Sequence, residues 1–361
     1  MSFSHLVIIE TSGNQAAIFG TNRLRENAGS SELTFRTRRT VLEAVREATG
    51  EGSSQLQLLL AADSAGDNAG FRRILQSEEL RNELISAGDN VGVDIVVCTS
   101  GKSILRVSGE DVGRAIVRSV TANTLIETPG IIICGVVHLI GNDKPDDAIQ
   151  KAHQQLQKLQ SERRGWEHRF PMIPIAAVCN SSGRPAAEVD RKAKRSTGDR
   201  DLSATSLKAQ NDEQTGSWSD RIQKLLYRET GKSIVVPATV SDLDAMQDAC
   251  NWLAVVHADG NGLGEIFTDF VNCLPDGTDY YNTLRKFSCA LEAITEKAFA
   301  EAVEQMKSRP SRNEKGVEYR PIVPLILGGD DLTVVVDGTQ ALAFTLCYLR
   351  AFERELSLIH I

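Results

Sequence analysis

The chain has 361 residues, 41% of them apolar, enough to bury two or three domain cores. Its 40 basic and 48 acidic side chains leave a net charge of −8, which excludes a global attraction for nucleic acid or anionic membrane and confines any polyanion to a local patch. There is no uncharged apolar run of about 18 residues and no basic-then-apolar leader, so the reading is a cytoplasmic protein with no membrane partner.

The predicted elements open with a strand over 5–10 (HLVIIE) and a helix over 33–48, where Leu33, Val41, Leu42, Val45 and Ala48 keep a helical rhythm. From Val93, VDIVVCTSGKSILRV reads as two strands joined at Thr-Ser-Gly-Lys, a hairpin. A helix over 110–122, a strand over 130–139 and a polar helix over 145–162 follow. The stretch 186–220 is dense in Ser, Thr, Lys, Asp and Gly without apolar periodicity, and reads as a mobile linker or insertion. The seven cysteines are scattered without a CxxC pair and read as reduced thiols.

Beyond that tract, Ser241 and Asp244 have the spacing of a helix-capping box, and WLAVVHAD (252–259) is a strand that ends in a carboxylate. A helix over 282–307 repeats Leu284, Phe287, Leu291, Ile294, Ala298 and Met306 at three- and four-residue steps. Strands over 321–327 and 332–336 flank Gly-Gly-Asp-Asp, with Pro321 and Pro324 confining the first to a sheet edge, and a helix over 339–354 closes the series. The order strand, helix, hairpin, helix thus occurs twice. Laying 325–338 on 96–109 puts Asp330 on Gly101 and Asp331 on Lys102, so only the second copy keeps an acidic turn.

The expected fold is α+β: two ferredoxin-like βαββαβ domains, 1–142 and 246–361, joined by a helical and loop connector over 143–245, the second domain incomplete. In such a unit the hairpin's second strand lies antiparallel beside the first strand, which brings Asp259 to Asp330 and Asp331. Three crowded carboxylates raise one another's pKa unless a cation neutralises them, and all-oxygen ligands suit Mg2+ or Mn2+. Gly260, Gly262 and Gly264 after Asp259, and Gly328 and Gly329 before the acidic pair, clear space for backbone to approach phosphate or base, with Asn261 a further contact. Each motif alone is also a good solvated turn; together, at the tips of two apolar strands, they point to phosphoryl-transfer chemistry. His257 shares the strand face of Asp259 and is read as a hydrogen-bonded structural histidine.

At VVHADGNGLG and LGGDDLTVVV, and in the first half at ETSGNQAAIFGTNRLRENAGSSEL and TSGKSILRV, the chain resembles the large subunit of type III CRISPR effector complexes, a family with paired palm domains and a GGDD cyclase site. Gly13, Gln15, Ile18 and Phe19 match the family's segment of Gly and Gln before an Ile-Phe pair. The resemblance implies metal ligands at Asp259, Asp330 and Asp331, conversion of ATP to cyclic oligoadenylate, and guide RNA and other effector-complex subunits as partners. CNSSGRPAA (179–187) resembles half of the family's zinc module, but Ser182 stands at the second cysteine position, which weighs against zinc. No His-Asp pair matches the family's nuclease domain, and the chain reads as a fragment without the last palm strand. The competing readings are a scaffold that touches RNA through Arg191, Lys192, Lys194 and Arg195, and a diguanylate-cyclase-like enzyme, from which the missing Glu-Phe after Gly-Gly-Asp detracts.

Overall fold

A computed structural model describes residues 3–21, 23–50, 52–85, 91–162, 175, 177–190, 200–202, 212–237, 252–260, 270–275, 277–310 and 317–357. It divides into two compact units that are interleaved in sequence: residues 1–52, 84–94 and 100–215 in one, 53–83, 95–99 and 216–361 in the other. Helix and strand are mixed in both, so the fold is α+β.

The first unit is built on a four-stranded sheet. Strand β1 (His5–Ser12) is followed by helices α1 (Asn14–Ile18), α2 (Leu24–Phe35) and α3 (Thr37–Thr49). Helices α4 (Ser54–Ser64), α5 (Asn68–Leu75) and α6 (Glu78–Ile85), nearly all of which fall in the second unit, come next, then β2 (Val93–Thr99), whose residues from Ile95 on are also assigned there, β3 (Lys102–Val107), α7 (Glu110–Glu127), β4 (Ile132–Leu139) and α8 (Pro145–Glu162). The strand order is β2-β3-β1-β4, with β1 antiparallel to both neighbours. Leu6, Val7, Ile8 and Ile9 of β1 are at most 1% exposed, so both faces of the sheet are covered. Helix α7 approaches one face through Gly113: a Cβ there would stand 2.9 Å from Val137 and 3.0 Å from Val7.

The expected helix over 33–48 is instead two helices that meet at Arg36. The Thr34 hydroxyl donates to the Ser30 carbonyl and that of Thr37 to the Thr34 carbonyl, side-chain bonds of the kind that compete with the helical ladder at such a joint. Helices α4 to α6 had no counterpart in the sequence reading.

In the second unit, helix α9 (Asp212–Thr230) precedes β7 (Leu253–Ala258) and α10 (Tyr280–Glu304); a two-stranded ribbon, β5 (Glu188–Asp190) with β6 (Arg200–Leu202), lies earlier in the chain, within the first unit. A small ribbon of β8 (Arg309–Pro310) and β9 (Glu318–Tyr319) leads to β10 (Ile322–Gly328), β11 (Asp331–Asp337) and α11 (Ala341–Leu356). The sheet order is β10-β11-β7, so β10 is an edge strand as its prolines require, and the register slips beside Pro324. The linker reading of 186–220 is corrected here, because α9 begins inside it. Among its described side chains, Trp218, Ile222, Leu225 and Leu226 form a buried stripe, and Trp218 Nε1 donates to the Pro324 carbonyl over 3.2 Å. The capping pair Ser241 and Asp244 and the basic cluster 191–195 lie outside the described residues.

Two buried acids staple this unit. Glu296 of α10 accepts from Arg72 of α5 over 2.8 Å, from Arg228 of α9 over 2.7 Å, and from the Asn68 amide. Burial alone would raise the Glu296 carboxyl, but the arginines more than offset it and hold it low. Asp337, at the end of β11, is fully buried and accepts from Arg309, over 2.8 Å, and from the backbone and hydroxyl of Thr339. Burial pushes its carboxyl up, and Arg309 and Thr339 outweigh that to hold it at about 2.

A depressed carboxyl contributes stability above its unfolded pKa and loses it as the pH falls through the folded value. Wild-type protein should therefore exceed Asp337→Asn by about 1–2 kcal/mol in urea unfolding at pH 7. The difference should shrink between about pH 4 and about pH 2; a gap that is constant over that window would mean that the charge of Asp337 is not what stabilises this corner.

Candidate active site

The site is built where β7 meets the β10–β11 hairpin. Strand β11 runs antiparallel to β7, with Thr333 opposite His257 and Leu332 opposite Ala258. The next step of that register sets Asp331 opposite Asp259, near enough for Asp259 to push the Asp331 carboxyl up. Asp259 is exposed, immediately past the end of β7, and Asp331 is half-buried as the first residue of β11. Asp330 sits beside them in the two-residue turn and adds its charge to the Asp331 environment.

The glycines before the acidic pair do different jobs. Gly328 is the last residue of β10 and pairs with Asp331. Gly329 is the first turn residue and has φ +62, which a side chain disfavours, whereas Asp330 stays at negative φ; this pattern is a hairpin turn that asks for glycine at its first position. Nothing lies within 4 Å of where a Gly329 Cβ would be, so conformation rather than space demands the glycine. Gly260 follows Asp259, half-buried, while Asn261, Gly262 and Gly264 lie outside the described residues.

Burial first, then the facing Asp259 carboxyl and the charge of Asp330, push the Asp331 carboxyl up to about 6. His257 opposes this slightly, and its Nδ1 lies 2.8 Å from the Thr333 hydroxyl, the cross-strand bond expected of a structural histidine. Among the described residues no group of three His, Cys, Asp or Glu side chains is disposed to hold a metal ion. Asp259 and Asp331, with Asp330 adjacent in the turn, offer the carboxylate oxygens that a hard divalent cation of the Mg2+ kind takes one or two at a time, filling its octahedron with water and substrate phosphate.

The first unit shows the same register with different chemistry. Glu10 lies opposite Lys102, with Nζ 4.0 Å from Oε2, so a pair of opposite sign stands where the second unit has two acids and needs no cation. Its turn residue Gly101 has φ +89, and a Cβ there would meet the Thr11 hydroxyl at 2.5 Å. In the segment 179–187, the buried Cys179 sulfur accepts from the Ser182 amide at 3.4 Å, and Ser181 donates to Glu26. Cys98, Cys134 and Cys289 are likewise buried and in no disulfide, whereas Cys273 is exposed. No helix among the described residues is long and apolar enough to cross a membrane.

Two residues around the turn escaped the sequence reading. Thr295, fully buried on α10, donates to the Gly329 carbonyl at 2.5 Å, and the buried Tyr348 phenol of α11 lies beside Thr295. A lone threonine among Leu291, Ile294 and Ala298 was the available signal, and periodicity alone gives it no partner.

A carboxyl whose folded pKa is raised favours the fold below its unfolded pKa, and that contribution is lost as the pH rises through the folded value. Without divalent cation, Asp331→Asn should therefore raise stability at pH 8 by about 1 kcal/mol, solvent screening reducing the roughly 1.4 kcal/mol per pKa unit. The gain should fade between about pH 6 and about pH 4 in thermal unfolding. Equal melting temperatures across that range would remove the strain assigned to the pair.

No family model and no curated protein matches the chain. Its fold is similar to that of chains in crystal structures of a Csm1–Csm4 cassette in complex with pppApApA (TM-score 0.53, 12% identity) and with cA4 (TM-score 0.51, 13% identity). It is similar also to the Csm1–Csm4 subcomplex of the type III-A CRISPR-Csm interference complex, at a TM-score of 0.51 and 14% identity. Each match covers 98% of this chain and 47% or 48% of the other, so the chain spans about half the length of the structures it matches. Over nearly its whole length, the protein shares the fold of these Csm1–Csm4 cassette chains.

Proposed function

We propose that the chain is a two-palm nucleotidyl cyclase that joins ATP into cyclic oligoadenylate with Mg2+ or Mn2+, as part of a guide-RNA effector complex in antiviral defence. The observation that carries this reading is the register that sets Asp331 against Asp259, with Asp330 beside them in a glycine turn. Support comes also from the similar structures, which include Csm1–Csm4 cassettes in complex with ATP, cA3 and cA4.

In this reading Asp259 and Asp331 hold the cation and Asp330 completes its charge balance. A divalent cation, when bound, activates the attacking ribose hydroxyl and screens the charge on the triphosphate. Gly328 and Gly329 keep side chains away from the nucleotide, and the glycine-rich sequence from Gly260 through Asn261 and Gly262 to Gly264 supplies phosphate contacts. The Thr333 bond fixes the His257 ring, leaving the carboxylates to do the electrostatic work. The first palm, with Lys102 and Glu10 in the equivalent place, supports the fold rather than the chemistry.

The test is incubation with each labelled triphosphate and Mg2+ or Mn2+, with and without guide and target RNA, beside Asp330→Ala/Asp331→Ala. The expected outcome is an oligoadenylate product from ATP that falls at least about 100-fold in the variant, the size of effect that losing a main electrostatic stabiliser has. Absence of product under every condition would favour the scaffold reading.

A further inference from the structure

The acidic turn is held from beneath by a relay whose members lie outside both motifs. Thr295 is in the middle of α10 and 0% exposed, and its hydroxyl is 2.5 Å from the Gly329 carbonyl and 3.1 Å from the Leu291 carbonyl of its own helix. One hydroxyl has one proton, and the shorter contact takes most of it. Tyr348, 2% exposed on α11, lies beside the same hydroxyl and within electrostatic reach of Asp330 and Asp331. One helix thus bonds the carbonyl between the two turn residues, and the second stands beside that bond.

The footing of this relay is firm. Glu296, the next residue of α10, is locked by Arg72, Arg228 and Asn68, so the helix cannot rotate or slide at this level without breaking a buried ion cluster. Phe344 and Tyr348 of α11 stack at 6.4 Å, and Phe344 meets Phe299 of α10 at 6.4 Å, which fixes the second helix against the first.

We infer that Thr295 and Tyr348 are positioning residues, which fix the Gly329 carbonyl and with it the aim of Asp330 and Asp331. The inference deepens the cyclase reading, on which its catalytic consequence rests, but its structural claim stands independently. Neither side chain touches substrate; each acts through the turn. A hairpin turn with a glycine at positive φ has several accessible shapes, and a fixed carbonyl selects one of them.

Amide hydrogen exchange at 329–332 in the full chain tests the claim, read beside exchange over α10 and the unit's melting temperature. Thr295→Val keeps the shape and removes the donor, Thr295→Ser keeps the donor, and Tyr348→Phe removes the outer hydroxyl. The expected result is exchange faster by about fivefold to tenfold at the turn in Thr295→Val, the factor one net hydrogen bond is worth. Tyr348→Phe should give a smaller change, and Thr295→Ser should match wild type. In turnover, kcat should fall with KM for ATP unchanged. Turn exchange equal in all four proteins would overturn the inference, as would a uniform rise over the whole unit that serine does not reverse. Absence of turnover in every form, with the local exchange pattern present, would count against the cyclase reading and leave the positioning role intact.

Discussion

The antiparallel register of β11 on β7 is the constraint from which the rest of the candidate site follows, because it sets two carboxylates side by side at the strand ends. Like charges in contact at a partly dry site repel by a few kcal/mol, about 4 kcal/mol at 4 Å for an effective dielectric of 20. The unit tolerates this because its stability is secured elsewhere. Glu296 is clamped by two arginines, Asp337 is fully satisfied at the far end of β11, and α10 buries Leu284, Phe287, Leu291, Ile294 and Ala298. Strain gathered at one turn and compensated in the surroundings is the pattern of a binding or catalytic site.

The two units make the contrast internal to the molecule. Both run a hairpin whose second strand lies antiparallel beside the first strand of the unit. In one the facing residues are Glu10 and Lys102, of opposite charge; in the other they are Asp259 and Asp331, of like charge. The backbone frame is common, and the charge at two positions is what separates the copies.

The strands of the two larger sheets, both hairpins and the edge position of β10 were legible, because each rests on local alternation and on one topological rule, whereas the ribbons β5–β6 and β8–β9 were not. The polar tract hid α9 because its composition carries no apolar period, and the buried stripe of Trp218, Ile222, Leu225 and Leu226 lies almost wholly beyond it. Helices α4 and α5 pack chiefly on one another, and their anchor, Arg72 on Glu296, joins residues 224 apart in sequence. Thr295 was unreadable for the same reason: its partner carbonyl lies 34 residues away, and nothing in a helical pattern announces a tertiary hydrogen bond.

The most direct test of the central claim is titration of Mn2+ into the protein with a non-hydrolysable ATP analogue, followed by electron paramagnetic resonance of the free ion, for wild type, Asp259→Asn and Asp331→Asn. The account predicts a saturable site in wild type that weakens at least about tenfold in either variant, because each removes one of two charged ligands. Equal Mn2+ affinity in all three proteins would contradict it and detach the paired carboxylates from any metal-dependent chemistry.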